Sequence, residues 1–145
     1  MLKGISPIIS PELLKALAEM GHGDELVIAD GNFPCHSVGK NSIVIRADGH
    51  GVPEILDAIL GLLPLDTYTE KPVGLMEVVP GDTCGTPEIW KTYEDILCSH
   101  EPAHHDVEYI ERFAFYERAK DAYLIIATGE KAIYANILLK KGVVK

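Results

Sequence analysis

The sequence has few positively charged residues. Its 145 residues include 13 lysines and arginines against 22 aspartates and glutamates, which gives a formal net charge of −9. Proteins that bind the phosphate backbone of nucleic acids carry a surplus of lysine and arginine, so this balance argues against a nucleic-acid partner. It gives equally little reason to expect binding to an anionic membrane surface. A small neutral ligand is compatible with it.

Long apolar runs and paired cysteines are also missing. No run approaches the roughly 18–20 residues of a membrane helix. Pro7 and Glu12 interrupt any apolar core of a signal peptide near the N-terminus. The cysteines are odd in number and widely spaced, at Cys35, Cys84 and Cys98. We therefore expect no membrane segment, reduced thiols and a cytoplasmic location.

The sequence contains none of the common motifs that bind phosphate groups or organic cofactors. GxGxxG, the P-loop, GxSxG and the EF-hand pattern are absent, so redox and phosphoryl-transfer chemistry have no support. Imidazole and carboxylate groups are competent metal ligands, and His100, His104, His105 and Asp106 leave a metal site open as an interpretation. Adjacent histidines in a loop do not converge easily on one ion, and no HExxH or CxxC accompanies them. We expect neither a metal nor a cofactor.

Short apolar runs and helical periodicity alternate along the chain. Helices are predicted at residues 11–20, at about 53–62, from a capping sequence Thr86-Pro87-Glu88 onward, and at 112–120. Strands are predicted at residues 26–29, 43–45, 74–79, 107–110, 123–127 and 137–139, and residues 31–42 are predicted to form a loop. This alternation predicts a single α/β domain over residues 1–145. We expect a three-layer α/β/α sandwich around a mostly parallel or mixed sheet.

His22 and Asp30 are the first candidates for chemistry. His22 stands between two glycines in the turn before the strand at 26–29, and histidine as a residue type suits proton transfer near neutral pH. Asp30 ends the same strand, at the edge where α/β folds place their sites. The plainer alternatives are a polar turn residue and an Asx turn with Gly31 and Asn32. The strand would hold the two side chains about 20–25 Å apart within one chain.

The run Tyr134-Ala135-Asn136 and Arg112 are further candidates. Tyrosine and asparagine offer the hydrogen-bond donors and acceptors that suit a polyhydroxylated neutral ligand. Half-buried packing beside a strand is the plainer interpretation of this tyrosine. For Arg112, the spacing alone favours a local ion pair with Glu108 or Glu111.

Motifs along nearly the whole chain carry a resemblance to a known family. In the first half they are Leu2-Lys3-Gly4-Ile5-Ser6-Pro7, Ser10-Pro11-Glu12-Leu13-Leu14, Met20-Gly21-His22-Gly23-Asp24-Glu25, Ala29-Asp30-Gly31-Asn32-Phe33-Pro34, Ile45-Arg46-Ala47-Asp48-Gly49 and Leu63-Pro64-Leu65-Asp66-Thr67-Tyr68. In the second half they are Arg112-Phe113-Ala114-Phe115-Tyr116-Glu117-Arg118-Ala119, Ala127-Thr128-Gly129-Glu130 and Tyr134-Ala135-Asn136-Ile137-Leu138-Leu139-Lys140-Lys141-Gly142. In this order and spacing the chain resembles the fucose mutarotase and D-ribose pyranase family. It is more similar to the fucose branch, and residues 81–103 are its least family-like part.

The resemblance implies an activity and a set of site residues. It implies an enzyme that interconverts the α and β anomers of L-fucose with no metal or organic cofactor. The position matching His22 would be the proton donor, and the positions matching Asp30, Arg112 and Tyr134-Ala135-Asn136 would bind the sugar. Family members form homo-oligomers, commonly rings of ten in bacterial forms, with sites between neighbouring subunits. Such an assembly would bring His22 and Asp30 together.

Three alternatives stay open at this point. A pyranase would exchange the pyranose and furanose rings of D-ribose with the same acid and base. A non-catalytic monosaccharide-binding module would use Asp30 and Tyr134-Ala135-Asn136, and His22 would then be dispensable. A metal-binding regulator would use His100, His104 and His105.

Overall fold

A six-stranded mixed sheet forms the centre of the computed structural model, which describes residues 1–145. The strands are β1 (Glu25–Ala29), β2 (Ile43–Ala47), β3 (Val73–Met76), β4 (Val107–Ile110), β5 (Leu124–Thr128) and β6 (Ile137–Lys140). The helices are α1 (Pro11–Glu19), α2 (Cys35–Val38), α3 (Val52–Leu60), α4 (Glu88–His100) and α5 (Arg112–Lys120). None of these helices has the length and apolar character that crossing a membrane would require.

The strand order places the first strand at the middle of the sheet. The order is β2-β5-β1-β6-β3-β4. β1 runs parallel to β5 and antiparallel to β6, with Leu26 opposite both Leu124 and Leu139. β6 is also antiparallel to β3, whereas the β2–β5 and β3–β4 pairs are parallel. Because β6 alone is reversed, its first residues lie at the same edge as the carboxyl ends of β1 and β3.

Side chains alternate between the two faces of the sheet and build two cores. Leu26 and Ile28 of β1 belong to the larger core, which packs against α1, α3 and α4. Val27 and Ala29 belong to the smaller one, which packs against α2 and α5. A strand that is buried on both sides reads as a continuous apolar run, which explains why β1 was predictable. The predicted three-layer α/β/α sandwich is confirmed.

Side-chain caps define the first residues of α1, which precedes His22, and of α5, which contains Arg112. Ser10 accepts a hydrogen bond from the Leu13 amide at 3.1 Å and begins α1 as predicted. Glu111 caps α5 by accepting the amides of the second and third helical residues. Arg112 is therefore the first residue of α5, and only Glu111 separates it from the end of β4.

Three local predictions were wrong. The segment 31–42 contains α2, a single turn that buries Cys35 under the smaller core. β3 ends at Met76 and not at residue 79, because its partner β4 ends at Ile110, two residues before α5 begins. Helix α4 starts at Glu88 with Pro87 before it and without a side-chain cap.

Candidate active site

A cavity of about 290 Å³ opens at the edge of the sheet where β1, β3 and β4 end. In open α/β sheets this carboxyl edge is the usual position of ligand sites. Four of the predicted site residues line the cavity, namely Asp30, Arg112, Tyr134 and Asn136. Phe33, Met76 and Tyr116 add apolar surface to the same walls.

Asp30 and Asn136 are joined across the two central strands. Asp30 is 9% exposed and follows β1, and Asn136 is 5% exposed and precedes β6. The Asp30 amide donates to Asn136 Oδ1 at 2.8 Å, and Asp30 Oδ1 accepts the Asn32 amide at 2.9 Å, as in an Asx turn. Burial raises the pKa of Asp30, against the lowering effect of the amide hydrogen bonds. The carboxylate is therefore a better proton and hydrogen-bond acceptor than an ordinary surface aspartate.

Two side chains of helix α4 hold the Tyr134-Ala135-Asn136 run in place by binding its backbone carbonyls. The Tyr93 hydroxyl donates to the Ala135 carbonyl at 2.6 Å, and Trp90 Nε1 donates to the Tyr134 carbonyl at 2.8 Å. Tyr134 has a φ of 53°, in the left-handed region that few non-glycine residues adopt. Ala135 is fully buried, so it can offer a ligand only its backbone. The two α4 side chains fix a strained segment at the wall of the cavity.

The phenol of Tyr134 ties the loop between β3 and α4 to the cavity. Its hydroxyl donates to Asp82 Oδ2 at 2.6 Å and accepts the Val79 amide at 3.2 Å. The hydrogen bond to Asp82 raises the pKa of Tyr134, so the phenol stays protonated at neutral pH. Asp82 also lines the cavity. It was missed from the sequence, because no local pattern indicates a partner 52 residues away.

Arg112 points a free guanidinium towards the same cavity. The expected local ion pair does not form, because Glu108 binds Arg118 at 2.8 Å and Glu111 is engaged as the cap of α5. Arg112 instead packs over the ring of Tyr116, with 5.8 Å from its Cζ to the ring centroid. Its donors are available to a ligand.

His22 lies at the opposite edge of the sheet from the cavity. It occupies the turn between α1 and β1, where Gly23 has a φ of +87° that favours glycine. The five residues of β1 separate His22 from Asp30, as the sequence predicted. One copy of the chain therefore brings together Asp30, Arg112 and the Tyr134-Ala135-Asn136 run but not His22.

A buried carboxylate that the sequence did not indicate as functional pairs with His22. Asp66 is 2% exposed, and its Oδ1 lies 3.0 Å from His22 Nε2. The ring of Tyr68 packs against the imidazole with 5.2 Å between centroids. The His22 side chain remains 47% exposed, so it is open to a partner from outside the chain.

The three histidines of the alternative metal site bind separate partners. His100 contacts Asp57, His104 donates to the Thr69 carbonyl, and His105 contacts Glu94. No three histidine, cysteine, aspartate or glutamate side chains are grouped as a metal ion would require. The geometry gives the metal-binding alternative no support.

The sequence and the fold are both similar to those of known proteins. Residues 3–144 match the profile of the RbsD / FucU transport protein family. The chain is 54% identical to the L-fucose mutarotase of Actinobacillus pleuropneumoniae, over 99% of this chain and 97% of that protein. It is 53% identical to the fucose mutarotase of Homo sapiens, over 98% of this chain and 94% of that protein.

Solved structures extend the similarity. FucU from Bifidobacterium longum has 62% identity and a TM-score of 0.94, over 99% of this chain and 100% of that one. The fucose mutarotase from Streptococcus pneumoniae in complex with L-fucose has 51% identity and a TM-score of 0.92, with the same coverage. RbsD of Bacillus subtilis complexed with D-ribose is more distant, at 26% identity and a TM-score of 0.78 over 100% of both chains.

Proposed function

The chain belongs to the RbsD / FucU transport protein family, and on that premise we propose that it is an L-fucose mutarotase, an isomerase that interconverts the α and β anomers of the sugar. The observation that carries the proposal is the group formed by Asp30, Arg112, Tyr134 and Asn136 around one cavity. The relatives named fucose mutarotase share more than half of their residues with this chain over nearly its full length.

The cavity has the chemistry that a neutral deoxy sugar needs. The Asp30 carboxylate accepts hydrogen bonds from sugar hydroxyls, and the Arg112 guanidinium and the Asn136 amide donate them. Tyr116 and Met76 offer apolar surface to the C–H face and the methyl group of L-fucose. A cavity of about 290 Å³ is at the small end of ligand sites, as a single monosaccharide requires.

The proposed reaction is a ring opening followed by closure on the other face. An acid protonates the ring oxygen while a base removes the proton of the anomeric hydroxyl, and the bond between C1 and the ring oxygen breaks to leave the open-chain aldehyde. Rotation about C1–C2 and the reverse proton transfers then give the other anomer. His22 is proposed as the proton donor, and the sugar-binding residues hold the ring while it opens. General acid catalysis worth about 10²–10⁴-fold is sufficient for a reaction that already proceeds in water.

We propose further that the working site is shared between two copies of the chain. His22 of the partner subunit would reach the cavity that contains Asp30, because a single chain separates the two by the length of β1. The exposure of His22 and the open cavity support this arrangement. We propose a homo-oligomer in the cytoplasm, where the three free cysteines would remain reduced.

Saturation-transfer NMR on an L-fucose solution at anomeric equilibrium tests the activity. We expect exchange between the α and β signals that grows with enzyme concentration and collapses in His22→Ala. His100→Ala is the matched control, since that histidine also contacts an aspartate but lies away from the cavity. Stronger exchange on D-ribose would favour the pyranase alternative. No enhancement on either sugar with folded protein would leave a sugar-binding module as the better account.

Mixing two inactive variants tests the shared site. His22→Ala supplies an intact cavity, and Arg112→Ala supplies an intact His22. If sites lie between copies, subunits mixed in equal amounts should recover about a quarter of the wild-type exchange, since that fraction of interfaces would combine the two intact halves. Light scattering on the same mixture measures the assembly. A monomer in solution, or no recovery in a mixed oligomer, would contradict the shared site.

A further inference from the structure

We infer that Asp82 is the positioning residue for Tyr134: it takes the phenolic hydrogen, so that the phenol oxygen meets the sugar as a hydrogen-bond acceptor and selects a hydroxyl that donates. This inference rests on the proposed function, in which the cavity binds fucose. It starts from the hydroxyl of Tyr134, which donates to Asp82 Oδ2 at 2.6 Å. An ionised carboxylate can only accept, so the hydrogen at this contact belongs to the phenol.

The segment Val79-Pro80-Gly81-Asp82 forms a turn that contacts the phenol from two sides. Proline favours the second position of a type II turn and glycine the third, where Gly81 has a φ of +91°. The Asp82 amide closes the turn by donating to the Val79 carbonyl at 3.0 Å. The Val79 amide donates to the Tyr134 oxygen at 3.2 Å, while the Asp82 carboxylate accepts its hydrogen.

The carboxylate of Asp82 is held and charged. Its Oδ1 accepts the Cys84 amide at 2.9 Å, which leaves Oδ2 for Tyr134. The hydrogen bond from Tyr134, followed by that from the Cys84 amide, lowers the pKa of Asp82, so the carboxylate is ionised at neutral pH. Both of its oxygens therefore act only as acceptors.

The phenol oxygen of Tyr134 has one lone pair left for a ligand. A tyrosine hydroxyl donates one hydrogen and accepts through its lone pairs. Asp82 accepts the hydrogen, and the Val79 amide uses one lone pair. Tyr134 and Asp82 both line the cavity. The remaining lone pair is therefore the group that Tyr134 offers to the sugar.

The neighbouring polar groups complete a fixed pattern of donors and acceptors. Asn136 Oδ1 accepts the Asp30 amide at 2.8 Å, so Asn136 has its NH₂ group left for a ligand. Arg112 is also a donor, whereas Asp30 and Tyr134 accept. Sugar hydroxyls must therefore donate to Asp30 and to Tyr134, and only the second of these hydrogen bonds depends on Asp82.

Fluorinated sugars test this pattern, because fluorine replaces a hydroxyl group but cannot donate. NMR titration of the wild type measures the binding of L-fucose and of analogues with fluorine in place of the hydroxyl at C1, C2, C3 or C4. We expect binding about 10-fold weaker at the positions that meet Asp30 and Tyr134, as the loss of a hydrogen bond to an acceptor predicts. Tyr134→Phe should remove this fluorine penalty at one position only, which identifies the hydroxyl that meets the phenol.

Asp82→Asn reverses the hydrogen bond without removing it. The Cys84 amide still requires an oxygen, so the introduced NH₂ group faces the phenol and donates to it. Tyr134 then turns its own hydrogen to the sugar, and the fluorine penalty at its position should fall from about 10-fold to about twofold. The penalty at the Asp30 position should not change. Asp95→Asn is the matched control, because it removes an exposed carboxylate of α4, and it should leave both penalties unchanged.

Three results would overturn the inference. One is a wild type in which no fluorine penalty depends on Tyr134, and this result requires no Asp82 variant. Another is folded Asp82→Asn that keeps the full penalty at the Tyr134 position, since a purely structural Asp82 would weaken the binding of all these sugars alike. The third is a change in fluorine penalty when Asp82→Asn is added to Tyr134→Phe, because Asp82 would then act on the sugar directly.

The same protein separates this inference from the proposed function. A wild type that binds fucose but does not exchange its anomers would overturn the proposed function. The fluorine penalties would still decide whether Asp82 fixes the hydrogen of Tyr134.

Discussion

The buried hydroxyl of Tyr93 gives the sharpest test of how helix α4 supports the sugar-binding run. Tyr93 is 1% exposed, and its hydroxyl donates to the Ala135 carbonyl at 2.6 Å. Burial raises the pKa of Tyr93 far above its ordinary range, so the phenol is always a donor. Tyr93→Phe removes one oxygen atom and leaves the ring, and thus isolates this hydrogen bond.

The expected cost follows from the buried carbonyl that loses its partner. Ala135 is fully buried, so water cannot replace the hydroxyl, and an unsatisfied buried acceptor costs about 1–3 kcal/mol. For a domain of this length the melting temperature should fall by about 4–12 °C. Asn136, which holds the Asp30 amide, follows Ala135 directly. KM for fucose should therefore rise more than kcat falls.

The assay pairs thermal unfolding with NMR exchange at several fucose concentrations. Tyr109→Phe is the control: this tyrosine is 53% exposed on β4, and its substitution should change the free energy of unfolding by less than about 0.5 kcal/mol. A Tyr93→Phe protein with the melting temperature and KM of the wild type would refute the reasoning, since the Ala135 carbonyl would then not need its donor.

Three carboxylates give further measurable outcomes. Asp66 has a pKa of about 2 against an ordinary 3.8, and this difference contributes about 2 kcal/mol to the free energy of unfolding above pH 4. The contribution is lost as the pH falls towards 2, so the urea midpoints of wild type and Asp66→Asn should converge there. A difference between the midpoints that stays constant with pH would contradict this. The contribution of Asp30 to stability at pH 7 has the opposite sign, because burial raises its pKa and its ionisation therefore destabilises the fold. Asp30→Asn should unfold at higher urea than wild type at pH 7, with the gain gone below about pH 4, and a lower midpoint at pH 7 would count against it. Asp82→Asn should lower the pKa of Tyr134, because the hydrogen bond to Asp82 raises it; an unchanged phenolate absorbance titration would be the contrary result.

The strands and most helices were predictable because their signals are local. Runs such as residues 124–127 are buried on both faces and are continuously apolar. Ser10 and Pro11 mark the start of α1 with a cap and a favoured first residue. Helix α2 was not predictable, because a four-residue helix is too short for periodicity to emerge. The antiparallel orientation of β6 was not predictable either, since an apolar run does not indicate in which direction its strand will run in the sheet.

The sequence indicated candidate residues for the site but not the contacts that these residues make. His22, Asp30 and Arg112 were candidates by residue type and position, and the family resemblance supplied their roles. The contacts of His22 with Asp66 and of Tyr134 with Asp82 join residues 44 and 52 positions apart. Such pairs depend on how the sheet assembles, and no spacing along the chain encodes them.

The position of β1 at the middle of the sheet also determines when the cavity can form during folding. Both neighbours of β1 come from the last part of the chain, and the hydrogen bond from Asp30 to Asn136 joins residues 106 positions apart. Contacts of such long range are slow to form, because the entropy of closing the loop is lost first. On the ribosome, β1 is made early and remains with two unpaired edges until β5 and β6 follow. The cavity is therefore completed late, after nearly the whole chain has been synthesised.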